Sequence, residues 1–213
     1  GAVAAGHEKT AAAAALILEA GGNAFDAALA ALCAACVVEP VLTSLGGGGF
    51  LIARAASGPV RVFDFFVQTP KRKRPEAELD FYPILADFGP AQQEFHIGLG
   101  TVATPGTVRG LFDVHAALGR LPIRRIVEPA IGYARDGIEV NALQGYIFSI
   151  VEPIYVATEG ARSVYASTLD PGRLPREGER LRQPPHADTL EALAREGGGL
   201  VYLGEIGQRL IEL

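Results

Sequence analysis

Several features that would point to particular protein classes are missing from this 213-residue sequence. It contains no methionine, no tryptophan and only two cysteines. Its longest apolar run lies between Asp26 and Glu39, and about a dozen residues cannot cross a bilayer, which needs about 20. The sequence therefore predicts no membrane span. No signal-peptide pattern is visible. Because the chain begins at Gly1 without a methionine, the absence of that pattern leaves the compartment open.

An excess of positive charge is also missing. The chain has 19 lysines and arginines against 24 aspartates and glutamates, a net charge of −5. A nucleic-acid partner would require a basic face, so we expect no such partner. The one basic cluster lies between Pro70 and Pro75 and consists of Lys71, Arg72, Lys73 and Arg74. It predicts a solvated loop, with an anionic ligand or a processing signal as the alternatives.

The two cysteines, Cys33 and Cys36, form a C-x-x-C pattern on one face of a predicted helix. Their neighbours are alanine, leucine and valine, and no basic residue is present to lower a thiol pKa. A zinc site would need two further ligands. We therefore interpret both as inert core residues and expect neither a metal nor a cofactor. Two unpaired, buried cysteines favour a cytoplasmic location over an oxidising one.

Several common catalytic patterns are absent. The sequence has no G-x-S-x-G elbow, no G-x-x-x-x-G-K-[ST] loop and no H-E-x-x-H pair among its four histidines. The run of glycines at residues 46–49 precedes a strand-like segment rather than a helix, which argues against a dinucleotide site. These glycines favour close packing against a neighbouring element, with substrate contact as the alternative.

The stretch from Gly21 to Phe50 carries most of the structural information. Gly21 and Gly22 can end one helix, and we expect Gly22 to hold the left-handed conformation. Asn23 then caps a second helix, Asp26 favours its positive end, and Pro40 stops it. This second helix is apolar nearly all round, so other layers must enclose it.

Helices accompany a hairpin rather than alternating with parallel strands, which predicts an α+β fold. At this length the chain is one large domain or part of one. The predicted helices cover residues 10–20, 27–38 and 107–118, a short helix after Pro122, another from Pro129 to about residue 135, one capped by Asn141 and interrupted by Pro153, and residues 187–195 and 205–213. The predicted strands cover residues 1–5, 50–55, 60–65 and 101–103, and residues 71–93 are predicted as a long surface loop.

An ordered set of motifs along the chain resembles the gamma-glutamyltransferases (gamma-glutamyltranspeptidases), a family of N-terminal nucleophile hydrolases. The motifs run in order from the N-terminus and are GAVA (1–4), GNA (22–24), DAA (26–28), VVEP (37–40), GGGGF (46–50), TPG (104–106), EPAI (128–131) and RQP (182–184). The resemblance implies a four-layer αββα sandwich built from two subunits. Residues 1–213 would be a partial domain, part of the large subunit. The remainder of the large subunit and the catalytic small subunit would lie beyond Leu213.

The resemblance also implies the chemistry. Families of this kind use a threonine that self-cleavage makes N-terminal, with its own amine as the base. That threonine opens the small subunit, so we expect no catalytic residue in this chain and give Thr10, Thr43 and Thr104 structural roles. The implied partners are a small-molecule, gamma-glutamyl-like acyl substrate and the small catalytic subunit of the same precursor.

One departure from the family pattern concerns substrate binding. The family's transpeptidases carry Asp-x-Arg-Glu-x-Ala-Pro after the hairpin, and the arginine grips the α-carboxylate of the gamma-glutamyl group. Here Asp64 and Pro70 keep the register, whereas Phe66 and Val67 replace the arginine and the glutamate. Phe66 is therefore the candidate substrate-binding residue, favouring an acyl group that has no α-carboxylate. The alternative is that Phe66 belongs to the core and another arginine binds the carboxylate.

Two functions remain from the sequence. The first is an autoprocessed amidohydrolase or acyltransferase with an altered acyl preference, for which the family's cephalosporin-acylase-like members are a model. The second is a non-catalytic relative that binds ligands or partners and no longer cleaves itself. A threonine preceded by a processing site, beyond Leu213, would distinguish them.

Overall fold

Two helices at the start of the chain form the centre of its most buried region. The computed structural model describes residues 1–212; Leu213, the predicted end of the last helix, lies outside the described residues. Helix α1 spans Glu8–Glu19 and helix α2 spans Ala24–Val38, and the two pack against each other. Ten of the 15 residues of α2 are buried. This confirms the prediction that a helix without a polar face is enclosed.

The turn between α1 and α2 is held by the predicted cap. The Asn23 side chain accepts hydrogen bonds from the backbone of Phe25 and Asp26, and the Asp26 carboxylate accepts one from the backbone of Asn23. The prediction that Gly22 holds the left-handed conformation was wrong by one position. Gly21 holds it, with φ 89°, and Gly22 does not have a positive φ. Gly22 is instead required by space, because a Cβ there would lie 2.7 Å from Cγ2 of Ile17.

The remaining elements follow in chain order. They are β1 (Phe50–Ala53), β2 (Arg61–Asp64), β3 (Tyr82–Asp87), β4 (Gln92–Ile97), α3 (Thr107–Leu118), α4 (Ile123–Asp136), β5 (Ile138–Glu139), α5 (Ala142–Tyr155), α6 (Glu159–Tyr165), β6 (Arg180–Leu181), α7 (Pro184–Glu196), α8 (Gly199–Tyr202) and α9 (Glu205–Glu212). Single 3-10 turns occur at Glu76–Glu78 and Leu99–Thr101. Mixed helices and small antiparallel sheets confirm the α+β class.

The chain divides into two compact units. The first contains Gly1–Gln68, Thr104–Arg135 and the residues from Pro184 onward. Strands β1 and β2 form its antiparallel hairpin, as predicted, with Leu51 opposite Phe63 and Ile52 opposite Val62. The α3 residue Val108 packs with Leu193 and Val201, so the C-terminal helices contribute to the core of this unit.

The second unit contains Thr69–Ala103 and Asp136–Gln183. Its hairpin, β3 paired antiparallel with β4, lies where the sequence predicted a loop over residues 71–93, so that prediction was wrong. Prolines and charges obscured the strand signal, but the more buried side chains alternate along both strands. Helix α5 starts at the predicted cap, Asn141, and includes Pro153 near its end rather than breaking there.

Three further expectations are corrected by the structure. Residues 1–5 are exposed and form no strand, since within residues 1–212 no strand pairs with them. Residues 101–103 are no strand either, because a 3-10 turn ends at Thr101 and only Thr104 bridges to Gln68. Pro129 lies inside α4, whose buried residues Ile126, Val127, Ala130 and Ala134 continue one helical face across the proline.

Among the described residues, no helix combines the length and the apolar character that crossing a membrane requires.

Candidate functional site

The segment that departs from the family pattern lies directly after β2 and continues the hairpin. We define residues 64–68 as the Phe66 segment. The backbone of Phe65 exchanges two hydrogen bonds with Gly49, at 3.0 and 3.3 Å, which adds one pair to the β1–β2 ladder. The Asp64 carboxylate accepts a hydrogen bond from the backbone N–H of Phe66 at 3.0 Å. The backbone around Phe66 is therefore fixed from both sides.

The glycine loop (residues 46–49) packs closely against this segment. A Cβ on Gly48 would lie 2.6 Å from the carbonyl oxygen of Phe65 and 2.6 Å from the amide nitrogen of Val67. No side chain fits that gap. The close-packing interpretation of the glycine run is therefore confirmed at Gly48, and substrate contact by the loop stays a prediction.

A third segment, the helix-start turn (residues 104–107), joins the other two. Thr104 exchanges backbone hydrogen bonds with Gln68, at 2.8 and 3.2 Å. The carbonyl oxygen of Gly47 accepts hydrogen bonds from the N–H groups of Gly106 (2.8 Å) and Thr107 (3.0 Å). The glycine loop, the Phe66 segment and the helix-start turn thus form one hydrogen-bonded assembly, placed at the N-terminus of α3.

The side chain of Phe66 is presented to solvent rather than buried. Phe66 is 52% exposed, and its ring stacks on that of Phe50, which is 63% exposed, with ring centres 5.5 Å apart and an interplanar angle of 14°. Exposed aliphatic side chains on the hairpin, Ile52 and Val62, lie opposite each other in register. The surface around Phe66 is therefore apolar and aromatic, and Phe66 is not buried by residues 1–212; its role in substrate binding stays a prediction.

The alternative that a different arginine binds the carboxylate has one candidate at this helix start. Arg109, in the first turn of α3, has a side chain that is 71% exposed and bonds Asp113 at 2.8 Å. The hydrogen bond to Asp113 raises the pKa of Arg109, so its guanidinium stays charged and engaged. An exposed ion pair of this kind is weak.

Tyr202, the last residue of α8, was not expected at this site. Its hydroxyl accepts a hydrogen bond from the N–H of Arg109 at 3.0 Å and donates one to the carbonyl of Pro105 at 2.9 Å. Burial raises the pKa of this phenol, which therefore stays protonated and able to donate. Because 97 positions separate Pro105 from Tyr202, no local sequence signal could have found the contact.

The threonines and cysteines make contacts within the fold, and the structural roles given to Thr10, Thr43 and Thr104 stay a prediction. The hydroxyl of Thr10 donates to the Glu39 carboxylate at 2.9 Å. Thr43 bonds Glu39 through its backbone, and Thr104 bonds through its backbone as described above. Cys33 and Cys36 are free and buried, as predicted, and burial raises the pKa of Cys33 to about 12 and raises that of Cys36 as well.

The basic cluster and the possible metal ligands of the chain give no further candidate site. The basic cluster Lys71, Arg72, Lys73 and Arg74 is exposed throughout, in agreement with the solvated loop predicted for it. A ligand or a processing role for this cluster stays a prediction. Among residues 1–212, no group of three or more histidine, cysteine, aspartate or glutamate side chains could hold a metal ion.

This chain is similar to gamma-glutamyltranspeptidases and to related acylases. A family model described as gamma-glutamyltranspeptidase matches residues 10–213. The Acylase ACY 1 proenzyme of Pseudomonas sp. (strain V22) is 35% identical over 100% of this chain and 38% of the relative. The glutathione hydrolase proenzyme of Pseudomonas aeruginosa is 34% identical over 99% of this chain and 36% of the relative. This chain therefore spans little more than a third of the length of these curated relatives.

A solved structure of the same family also resembles this chain. The gamma-glutamyltranspeptidase from Pseudomonas nitroreducens, complexed with L-DON, has a TM-score of 0.80 and 32% sequence identity. The match covers 100% of this chain and 59% of that chain.

Proposed function

This chain belongs to the gamma-glutamyltranspeptidase family, and from that premise we propose that it is part of the large subunit of an autoprocessed amidohydrolase or acyltransferase. Its full protein would hydrolyse or transfer a gamma-glutamyl or related acyl group. The nucleophile would be an N-terminal threonine on the small subunit of the same precursor. Relatives named as acylase and as glutathione hydrolase, at 35% and 34% identity, support both substrate classes.

We further propose that the two subunits build a four-layer αββα sandwich, to which this chain supplies outer helices and part of the sheets. The partners are then the small catalytic subunit and a small-molecule acyl substrate. The proposed compartment is the cytoplasm, supported by two free, buried cysteines. Cell fractionation with an antibody against the chain tests that compartment.

The observation that carries the proposed acyl preference is Phe66. Arginine binds a carboxylate through two parallel, charge-assisted hydrogen bonds, and a phenyl ring offers none. Where the bound substrate buries such a charge pair, removing one partner costs about 2–5 kcal/mol, or roughly 30-fold to several-thousand-fold in affinity. An exposed ring stacked on Phe50 instead supplies apolar contact area. The substrate of this enzyme is therefore an acyl group without an α-carboxylate, such as a butanoyl group or a longer apolar chain.

The experiment uses the full precursor and its Phe66→Arg variant. Both are assayed for kcat/KM on gamma-glutamyl and butanoyl 4-nitroanilides, of which only the first carries a carboxylate on the acyl chain. The wild type should prefer the butanoyl substrate, and Phe66→Arg should raise the gamma-glutamyl to butanoyl ratio by about 5- to 30-fold. This gain stays below the full value of a charge pair because Val67 cannot support the guanidinium as the family's glutamate would.

A matched control is Phe88→Arg, which places an arginine at another exposed phenylalanine, between β3 and β4. It should leave the ratio unchanged. A wild type that already prefers the gamma-glutamyl substrate would show that other residues hold the carboxylate, and Arg109→Ala would then test the candidate on α3.

Self-cleavage of the precursor tests the enzyme class itself. An autoprocessed enzyme should give two bands of subunit size on a denaturing gel. Replacing the threonine at the cleavage site should abolish both bands and leave the intact precursor. A precursor that stays intact and turns over neither substrate would instead identify a non-catalytic relative.

A further inference from the structure

The N-terminus of α3 has no capping side chain of its own. Helix starts usually use serine, threonine, asparagine or aspartate to accept a hydrogen bond from an otherwise unpaired N–H group. The residue before α3 is Gly106, which makes no side-chain cap. A larger residue does not fit there, because a Cβ on Gly106 would overlap the carbonyl oxygen of Phe65. The close approach of the Phe66 segment therefore excludes a local cap.

The hydroxyl of Tyr202 takes the place of that cap. It accepts from the N–H of Arg109, the third residue of α3, which is a position that an ordinary cap would serve. It also donates to the carbonyl of Pro105, on the other side of Gly106. One hydroxyl thus bonds the backbone both before and after the glycine, and its ring is anchored beside the buried cluster of Val108, Leu193 and Val201.

What this hydroxyl holds in place is the backbone that carries Phe66. The helix-start turn bonds the glycine loop through Gly47 and the Phe66 segment through Gln68. The ring of Phe65 lies against Gly110, one turn into α3. A shift of the Pro105–Arg109 backbone would therefore be transmitted to Phe65 and Gln68, which lie on either side of Phe66 in the chain.

We propose that Tyr202 is a positioning residue that sets the acyl preference of the enzyme by holding the helix-start turn, and through it Phe66, in the acyl-binding position. This proposal rests on the proposed function, in which Phe66 contacts the acyl group. Tyr202 itself contacts backbone and takes no part in the chemical step.

The test is Tyr202→Phe in the full precursor, which removes the hydroxyl and keeps the ring. Loss of these hydrogen bonds should raise KM for the preferred butanoyl anilide by about 2- to 10-fold. The value of kcat should stay within about twofold, because a looser binding surface weakens ground state and transition state alike. The control is Tyr133→Phe, on α4, whose hydroxyl is not part of the helix-start turn; it should leave KM unchanged.

A double-mutant cycle separates positioning from general stability. If Tyr202 acts through Phe66, Tyr202→Phe should change KM by less than about 1.5-fold in a Phe66→Ala background, since the group being positioned is gone. The same fold-change in both backgrounds would overturn the proposal, as would a lower melting temperature with KM unchanged. If Phe66→Ala alone leaves the ratio of the two anilides unchanged, the proposed function fails first, and that outcome is distinct from the other two.

Discussion

At the scale of single residues, two neighbouring glycines are required for different reasons. Gly21 has φ 89°, a conformation that costs most side chains energy, but a Cβ there would meet nothing within 4 Å. Gly22 has an ordinary backbone, but a Cβ there would lie 2.8 Å from the carbonyl oxygen of Ile17 and 3.0 Å from Cδ1 of Leu121. The sequence pattern showed that a glycine was needed in this turn and could not show which constraint applied to which position.

The same substitution at both positions should therefore give unequal results. Gly21→Asn should lower the free energy of unfolding by less than about 1 kcal/mol, because asparagine tolerates the left-handed region. Gly22→Asn should lower it by about 1–3 kcal/mol, since the backbone of Ile17 must move to admit a Cβ. Chemical denaturation of the full protein measures both values. Equal losses at the two positions would contradict this account.

Phe66 shows how far sequence reasoning reaches at the candidate site. Asp64 and Pro70 fixed its register, so its replacement of an arginine could be predicted from the sequence alone. Its exposure and its stacking on Phe50 depend on the hairpin register, which only the structure supplies. The contact of Tyr202 with the backbone around Gly106 joins residues far apart in the chain and has no sequence signal at all.

At the scale of elements, the packing of β2 and its following segment on α3 depends on a second glycine. Gly110 is a buried position inside α3, and a Cβ there would overlap the ring of Phe65 near its attachment to the backbone. The Phe65 backbone is paired with Gly49, so the ring cannot move away from the helix together with its backbone. The gap at Gly110 therefore sets how closely the Phe66 segment approaches the helix.

Two alanine substitutions in helix interiors test this contact against helix propensity. Gly132, inside α4, has nothing within 4 Å of its would-be Cβ, so Gly132→Ala should stabilise the protein by about 0.5–1 kcal/mol. Gly110→Ala gains the same propensity but should destabilise the protein by about 1–3 kcal/mol through overpacking. Thermal and denaturant melts compare the two, and a stabilising Gly110→Ala would show that Phe65 does not pack as described.

Elements with local signals were predicted well, and those without them were not. Asn23 and Asn141 each form a capping box, and α3 has the predicted bounds. Pro129 was misread because burial of one helical face outweighs the hydrogen bond that a proline removes. The β3–β4 hairpin was missed because its alternation is interrupted by Pro83 and surrounded by charge, and pairing supplied what local propensity did not.

At the scale of the whole molecule, the β1–β2 hairpin carries apolar surface that a folded protein seldom leaves open. Its exposed large side chains are Phe50, Ile52, Val60, Val62 and, in the following segment, Phe66. The hairpin is a two-stranded sheet, so its outer backbone edges are also unpaired within the described residues. A contiguous apolar face of this kind, together with unpaired edges, typically marks a surface covered by another segment or chain.

This chain produced alone should therefore aggregate through that face. We expect most of it in the pellet, or in the void volume on size-exclusion chromatography, because hairpin edges and apolar faces of separate copies can pair. Replacing Ile52 and Val62 together by threonine should raise the monomeric fraction, since threonine keeps the strand propensity and removes apolar area. The matched control replaces Leu169 and Leu203, two leucines exposed outside the hairpin, by threonine. This control should not raise the monomeric fraction. A wild-type chain that elutes as a monomer and melts cooperatively would show that the face is stable in water and needs no cover.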